Sequence, residues 1–523
     1  MTTFFSQTLF TSLVTIILLA VFIIYHWQRR KLYALSRKLN GPIALPIVGN
    51  IHQFGLVRGK SSDVFKTIHT LYGSHRKTGT DIGRVWVGPY LFIALGDVKT
   101  ITTVLNHNLK KATIYQVFDE VLHQGIFINK NIPQWRSSRK TIVPVFHFNI
   151  LKSYIRIFHS EASILVSKWE KYADSDASFN PENEINLATF DMVMMSTLGI
   201  SPQAQENSSH EFLYHIDKAF EIAMTRMFNP LLHSNLVCSL IGLRARQKAH
   251  VKVLKDVAQN TLNQIRERLK RNSDKGVVEN NATEYIPNLN IESSFKSFAE
   301  LMMESADYNK SDDELLISQI ITIIGAGQDT TKSQNMVTLI LLAIHQDVQD
   351  KVLEELDHVL GSDPTYCPTY EDLCKLEYLD MVIKESLRLY PAAPIIGRHI
   401  DEDFDLGNGI ILPEGVTVFI SIYAVHRDPK YYAIPNKFDP NRWTPDLVAQ
   451  RPPNCFMPFS TGPRNCIGGK YAMMQMKTVL STILRKYRIL PAKECSRMED
   501  IAFDWKITIK LNENCKIRLE KRR

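Results

Sequence analysis

Between Met1 and Gln28 the chain carries no aspartate, glutamate, lysine or arginine, and Leu9–Trp27 is almost continuously apolar. Nineteen residues at 1.5 Å each reach about 28 Å, enough to cross the hydrocarbon layer of a bilayer. The stretch also lacks the positive n-region and the A-x-A-like site of a cleaved signal peptide, so an uncleaved anchor is expected over residues 1–30. Arg29, Arg30, Lys31, Arg37 and Lys38 follow at once and favour a cytosolic side for what comes next. No second apolar run of comparable length occurs, so the rest should fold outside the bilayer. The seven cysteines contain no C-x-x-C pair and no regular spacing, which argues against a disulfide scaffold and suits a reducing compartment. In that setting the glycosylation triplets at Asn207, Asn281 and Asn309 would be silent. There is no basic stripe interleaved with aromatics, which speaks against nucleic acid, and no internal repeat.

What is present is an ordinary globular composition, 45% hydrophobic and 22% charged, with a net charge of +8 that fits an anionic membrane or an acidic redox partner. Length alone suggests about three domains. One large cofactor can instead hold a single long domain together. Gly41, Pro42, Pro46 and Gly49 make residues 31–50 a basic, proline-rich linker ahead of a body over 51–523. Arg84–Leu95 reads as a hairpin turning at Gly88-Pro89. Helical period runs through Phe118–Leu122, Trp135–Phe146, Ile150–Tyr172, Glu211–Met227, Leu243–Lys270, Asp312–His345 and Glu371–Tyr390. Asn272–Asn290 is polar and reads as a loop. Strand signals return at Ile410–Leu412, Val416–Ile420 and Trp505–Leu511, the last alternating large apolar residues with Lys506, Thr508 and Lys510. The fold class is mainly α with small peripheral β-sheets, plus one N-terminal transmembrane helix.

The most specific feature is Phe459-Ser-Thr-Gly-Pro-Arg-Asn-Cys466-Ile-Gly468, a lone cysteine in a glycine-punctuated loop opening a helix from Lys470. Helix N-terminus and neighbouring amides stabilise a thiolate, and Gly462 lets backbone come close. An isolated cysteine is usually a buried structural one. The spacing F-x-x-G-x-R-x-C-x-G makes a metal ligand the better reading. Glu385-Ser-Leu-Arg388 places an acid and a base one helical turn apart, and Phe438-Asp-Pro-Asn-Arg442-Trp443 follows. Gly325-Ala-Gly-Gln-Asp329-Thr330-Thr331 puts two glycines mid-helix, where they mark a deformation or a close approach, beside an acid–hydroxyl pair able to relay protons. Trp135-Arg-Ser-Ser-Arg139 sets an aromatic and an arginine one turn apart.

With these motifs the chain resembles the cytochrome P-450 family, from the proline-rich turn near Pro42 to the terminal hairpin. The resemblance implies the P-450 fold and haem b, with Cys466 as axial ligand, Phe459 packed beside the sulfur, and Arg464 on a haem propionate. It makes Trp135, Arg139 and Arg398 further propionate contacts. Glu385, Arg388 and Arg442 become a bracing network, and Asp329 with Thr330 the oxygen-activating pair. By family position Tyr115, Phe118, Ile126, Phe127, Ile324, Ile395 and Ile396 would line an apolar substrate pocket. Phe146-His-Phe-Asn-Ile-Leu, His426-Arg-Asp-Pro and Tyr471-Ala-Met-Met-Gln-Met-Lys-Thr-Val-Leu are similar to the fatty-acid-hydroxylase branch and its insect expansion. Many of that branch have a glutamate where Ala326 stands, and it can bond covalently to haem; alanine cannot, so non-covalent haem is expected. Lys332 is unusual, and its spacing from Thr330 turns it away from the haem. The implied activity is insertion of one atom of O2 into a lipid, hormone, pheromone-like or xenobiotic substrate. Electrons would come from NADPH through a cytochrome reductase, with cytochrome b5 as a second candidate donor, at the endoplasmic reticulum membrane. Two rivals are a reductase-independent haem-thiolate isomerase or dehydratase, which would not need Asp329-Thr330, and a non-catalytic haem sensor or carrier.

Overall fold

The computed structural model describes residues 2–45, 48–50, 52, 81–274, 284–285, 292–293, 297–304, 313–407 and 409–522. Pro46, most of the polar stretch 272–290 and the triplets at Asn281 and Asn309 lie outside these residues.

Helix α1 spans Thr2–Gln28 and is followed by the short helix Arg30–Ser36. Phe10, Leu13, Ile16, Leu19, Phe22 and Trp27 are all exposed along it. Among the described residues no single helix is long and apolar enough to cross a membrane. Ser12–Gln28 and Arg30–Ser36, bent by 52° at their break, meet that length and composition together. Strands β1 (Ile82–Val87) and β2 (Tyr90–Leu95) form the expected hairpin. Helix α2 (Ile132–Ile142) starts where Asn131 accepts the Gln134 N–H and Pro133 takes up the first turn.

Helices α3 (Phe148–Trp169), α4 (Glu182–Val193), α5 (Glu211–Phe228) and α6 (Leu243–Asp274) follow. In α5 the buried residues Phe212, Ile216, Ala219, Ala223 and Met227 recur every three or four positions, the stripe of a helix with one face on the core. Helix α7 (Asp313–Ile344) is buried on nearly every side, as its apolar composition demands. Next come α8 (Gln346–Leu360) and α9 (Glu377–Leu389), strands β3 (Ile395–His399) and β4 (Thr417–Ser421), and α10 (Gly469–Lys486). The chain order of the main sheet is β1-β2-β4-β3, with β2 and β4 parallel.

Two expected elements divide. The periodic run Glu371–Tyr390 breaks at Leu376 into Tyr370–Lys375 and α9. The carboxylate of Glu355, from α8, accepts the N–H groups of Tyr378 and Leu379 at 2.6 and 2.9 Å, so a tertiary partner satisfies the new helix start. Trp505–Leu511 is a hairpin rather than one strand. Strand β5 (Phe503–Trp505) pairs antiparallel with β6 (Ile509–Leu511), and the Lys506 N–H reaches the Thr508 carbonyl across the turn.

Three apolar clusters hold these pieces. Phe158, Val193, Leu342, Ile383 and Leu480 join α3, α4, α7, α9 and α10. Ile216, Leu262 and Ile320 join α5 and α6 to the first half of α7. Ile93, Leu105 and Val418 pack beneath the sheet. Helix α7 belongs to the first two clusters, so it runs through the molecule and carries its middle turns to the site.

Candidate active site

The loop leading to α10 is tightly determined. Cys466 N–H donates to the Phe459 carbonyl at 2.9 Å, closing the loop on itself. Gly462 has φ +77°, and a Cβ there would stand 2.6 Å from the Leu105 carbonyl oxygen, so only glycine fits. Phe459 packs against the start of α10, where a Cβ on Gly469 would meet its ring at 3.3 Å. The Cys466 side chain presents open surface, yet it sits deep among protein atoms, which pushes its thiol up. The Gly468 N–H, Arg139 and Lys111 act the other way and favour the thiolate.

Cations gather beside this loop. Arg464 donates to the carbonyls of Leu109 and Asn129 at 2.8 and 2.6 Å and lies over the buried Trp135 ring at 4.5 Å. Arg139 donates to the backbone and side-chain oxygens of Asn465 at 2.9 and 2.6 Å, bracing the residue before the cysteine. The side chain of Arg398, fully buried in β3, makes one hydrogen bond among the described residues, to the Gly397 carbonyl at 3.1 Å. Among the described residues its Nε and second terminal nitrogen have no partner. Lys111 lies opposite Arg398 across an isolated antiparallel bridge. Burial presses the Lys111 ammonium well below its ordinary value, and Arg398 and Arg464 repel it further. Buried guanidinium groups left unpaired are costly, so this cluster is built for an anion. Sequence reasoning missed Lys111, because only the fold sets it beside Arg398.

The second network centres on a fully buried pair. Glu385 and Arg388 pair bidentately at 2.8 and 2.8 Å. Arg388 also donates to the carbonyls of His426, Pro435 and Lys437. The remaining capacity of Glu385 goes to Asp439 N–H at 2.9 Å and Trp443 Nε1 at 3.1 Å. Arg442 stands 3.4 Å away and donates to the Ile434 carbonyl. His426 adds a link that sequence reasoning did not assign: its Nε2 accepts the Met457 N–H at 2.9 Å, tying the network to the segment leading into the cysteine loop.

On α7 the two mid-helix glycines mark close approach, since the helix is unbroken. A Cβ at Gly325 would meet Ile216 at 2.7 Å, and one at Gly327 would meet Val193 at 3.0 Å. Thr330 Oγ1 donates to the Ala326 carbonyl at 2.8 Å. Asp329 is held by Lys332, Lys510 and the Thr508 hydroxyl. Thr508 and Lys510, which alternate with large apolar residues along Trp505–Leu511, are both turned to α7.

Ala326, Asp329 and Thr330 line an apolar cavity with an empty volume of about 1860 Å³, counting the space at its open mouth. Tyr115, Phe118, Phe127, Ile395 and Ile396 are on its wall, with Phe220, Phe228, Phe419 and Trp505. Two expected pocket residues are not. Ile324 is fully buried in the cluster around α7, and Ile126 packs there while its N–H donates to Gln319. Each turns toward neighbouring helices instead. Lys111 connects the halves of the site, lying on the cavity wall and within electrostatic reach of Cys466.

The profile of the cytochrome P450 family matches residues 39–512. The chain belongs to the cytochrome P450 family. Cytochrome P450 4g15 of Drosophila melanogaster is 30% identical over 96% of this chain and 95% of its own length. Cytochrome P450 4V2 of Mus musculus is 30% identical over 98% and 94%. Insect and mammalian P450s numbered 4 thus stand where the sequence motifs pointed. In fold, the haem domain of cytochrome P450DA superposes with a TM-score of 0.76 at 21% identity, covering 93% of this chain and 98% of that one. A P450 carries haem with a cysteine thiolate on its iron, takes electrons from NADPH through a reductase, and oxygenates lipophilic substrates with O2. The residues present fit that cofactor. Arg398 offers two buried, unpaired nitrogens for its carboxylates, and the P450 fold supplies a cysteine in a loop shaped to expose sulfur.

Proposed function

We propose that this P450 works at the endoplasmic reticulum membrane, with residues 51–523 as one catalytic domain, Cys466 as iron ligand and Asp329–Thr330 as proton relay. The observation that carries the reading is the meeting of three things. A cysteine loop, an anion-seeking cation cluster and an apolar cavity bearing an acid–hydroxyl pair are joined through Lys111, which lies on the cavity wall, opposite Arg398 and within electrostatic reach of Cys466. Thiolate-ligated haem supplies oxygen activation when bound, the sulfur pushing electron density that favours O–O cleavage. Arg398, Arg464 and Lys111 would hold its carboxylates, while Arg139 braces the loop at Asn465 and Trp135 packs under Arg464. The apolar wall orients a lipophilic molecule and excludes water, and Thr330 passes a proton from Asp329 toward the cavity. Ala326 leaves α7 without a carboxyl group at that wall position, which supports non-covalent haem.

Membrane attachment draws support from surface chemistry. Leu231, Leu236, Leu240 and Ile241 are 75%, 69%, 78% and 59% exposed. The Tyr90 and His233 rings lie 6.3 Å apart, and Arg29 donates to the Pro89 carbonyl, so this segment and the end of α1 meet at one hairpin. An exposed apolar patch beside an apolar helix fits a lipid surface.

The test uses the full-length holoenzyme with a P450 reductase, NADPH and a library of lipophilic compounds. Mass spectrometry under 18O2 should show products gaining one labelled oxygen atom. Reduced protein with carbon monoxide should give the thiolate-type Soret band, and Cys466→His should lose it. A histidine-type band in the unmodified protein, or Cys466→His indistinguishable from it, would overturn the assignment.

A further inference from the structure

Away from the haem side of the molecule, two histidines meet between α5 and α6. His215 Nδ1 and His250 Nδ1 stand 2.9 Å apart, and their ring centres lie 5.0 Å apart at 55°. Tyr214 frames both, with edge contacts at 5.1 Å to His215 and 6.2 Å to His250. Both histidines are half-buried, so the helices hold their rings while water still reaches them. A hydrogen bond between two imidazoles needs one ring nitrogen to donate and the other to accept. Both Nδ1 atoms are therefore aimed at one point between the helices.

Such a point suits a divalent cation of borderline softness. Two imidazole nitrogens on a tetrahedral Zn2+, each about 2.0–2.1 Å from the ion, stand about 3.3 Å apart, so the rings need to part by only about 0.4 Å. Imidazole favours zinc, nickel and copper over magnesium and calcium. Of these, zinc has no redox chemistry, which suits a reducing compartment. Burial first, then His215, Lys218 and Arg246, hold His250 below its ordinary value and keep its ring uncharged near neutral pH, as a ligand must be. The two cations are themselves offset, since Glu221 pairs with Lys218 at 2.9 Å and also faces Arg246. Among the described residues no cluster of three or more histidine, cysteine, aspartate or glutamate side chains is placed to hold a metal, so water completes the coordination here. Two protein ligands make an exchangeable site, not a resident one.

We propose that His215 and His250 form a Zn2+ site that fastens α5 to α6 and slows exchange of molecules with the cavity. Helix α5 lends Phe220, Met224, Met227 and Phe228 to the cavity wall. Behind that wall, Leu254, Ala258 and Leu262 of α6 share an apolar cluster with Ile216 and Ala219 of α5. A hydrogen bond between the two rings yields easily when the helices shift, whereas two zinc–nitrogen bonds fix the rings to one ion. On binding, the ring that donates from Nδ1 moves its proton to Nε2, so both Nδ1 lone pairs reach the metal and no net proton is released. The wall on α5 is then held against α6.

The full-length ferric holoenzyme, prepared without a histidine tag, is titrated with ZnCl2 near neutral pH against a chromophoric zinc indicator. Wild type should take up Zn2+ with a micromolar Kd. His250→Gln should weaken that uptake by about tenfold or more with its Soret band intact, and His250→Cys should keep it. Zinc X-ray absorption should show imidazole scattering and no sulfur in wild type, and one sulfur in His250→Cys. Stopped-flow binding of 1-dodecylimidazole to the haem should slow several-fold in Zn2+-loaded wild type and recover with EDTA. In His250→Gln the same rate should be indifferent to Zn2+. If His250→Gln loses haem, His215→Gln is read in its place. Equal Zn2+ affinity in wild type and the glutamine variant, or sulfur in the wild-type zinc spectrum, overturns the site. An unchanged 1-dodecylimidazole rate in Zn2+-loaded wild type overturns the restraint on α5.

Discussion

Glu161 and Asp191 are buried acids away from the site, 6% and 1% exposed. Gln205 Nε2 donates to Glu161 at 2.7 Å, and the N–H groups of Ala204 and Gln205 donate to Asp191 at 2.9 Å each. Burial, with Asp191 adding to it, pushes Glu161 up to about 7; burial pushes Asp191 up to about 6 against those two amides. Both folded values lie above the unfolded ones of 4.5 and 3.8, so the folded state binds the extra protons. Stability from this pair is therefore full below about pH 4 and is lost as pH rises through 6 to 7. Glu161→Gln should remove its share of that loss. Its stabilising effect on the holoenzyme should grow from about pH 4 to about pH 8 by up to roughly 3 kcal/mol, read from denaturant midpoints. A pH-independent difference would refute the assignment. His426 carries the opposite sign: burial and Arg388 push it down to about 3, so its contribution is lost as pH falls below 6.5.

At the scale of elements, the cysteine loop is held by what it touches more than by its own bonds. Gly462 lies against Leu105 and Asn106, residues at the end of the Val98–His107 helix. Gly462→Ala would place a β-carbon against the Leu105 carbonyl and demand a positive φ from alanine. A cost of about 1–3 kcal/mol is expected, read as a lower thermal midpoint of the Soret band. The reduced carbon monoxide complex should also lose part of its thiolate-type signal. An unchanged midpoint and spectrum would show that the loop has slack. The Glu385–Arg388 network serves the same end from the other side, since the Arg388–His426–Met457 chain reaches the segment leading into the loop.

For the whole molecule, the decisive surface is the one shared by α1, the β1–β2 hairpin and the exposed apolar segment Leu231–Ile241. The attachment proposed through both α1 and this segment makes a specific expectation. A chain lacking residues 1–30 should keep its haem and still float with phospholipid vesicles, more weakly than the full chain. Changing Leu231, Leu236 and Leu240 to serine in that shortened chain should abolish flotation while leaving the Soret band intact. Release of the shortened chain before those changes would mean that α1 acts alone.

Local spacing alone determined the chemistry-bearing motifs. A cysteine loop, a Glu–Arg turn and a Gly-rich helix turn are short patterns whose residue types state their chemistry, and long amphipathic runs announce their helices. Contacts between distant segments could not be read this way. Glu355 ending a periodic run at Leu376, Lys111 placed beside Arg398, and Thr508 with Lys510 turned onto Asp329 each depend on a partner far away in the chain. The alternation at Trp505–Leu511 marks two faces without saying what covers them. Only the packing of the hairpin on α7 decided that one of those faces carries a buried ion cluster, and with it the electrostatic state of Asp329.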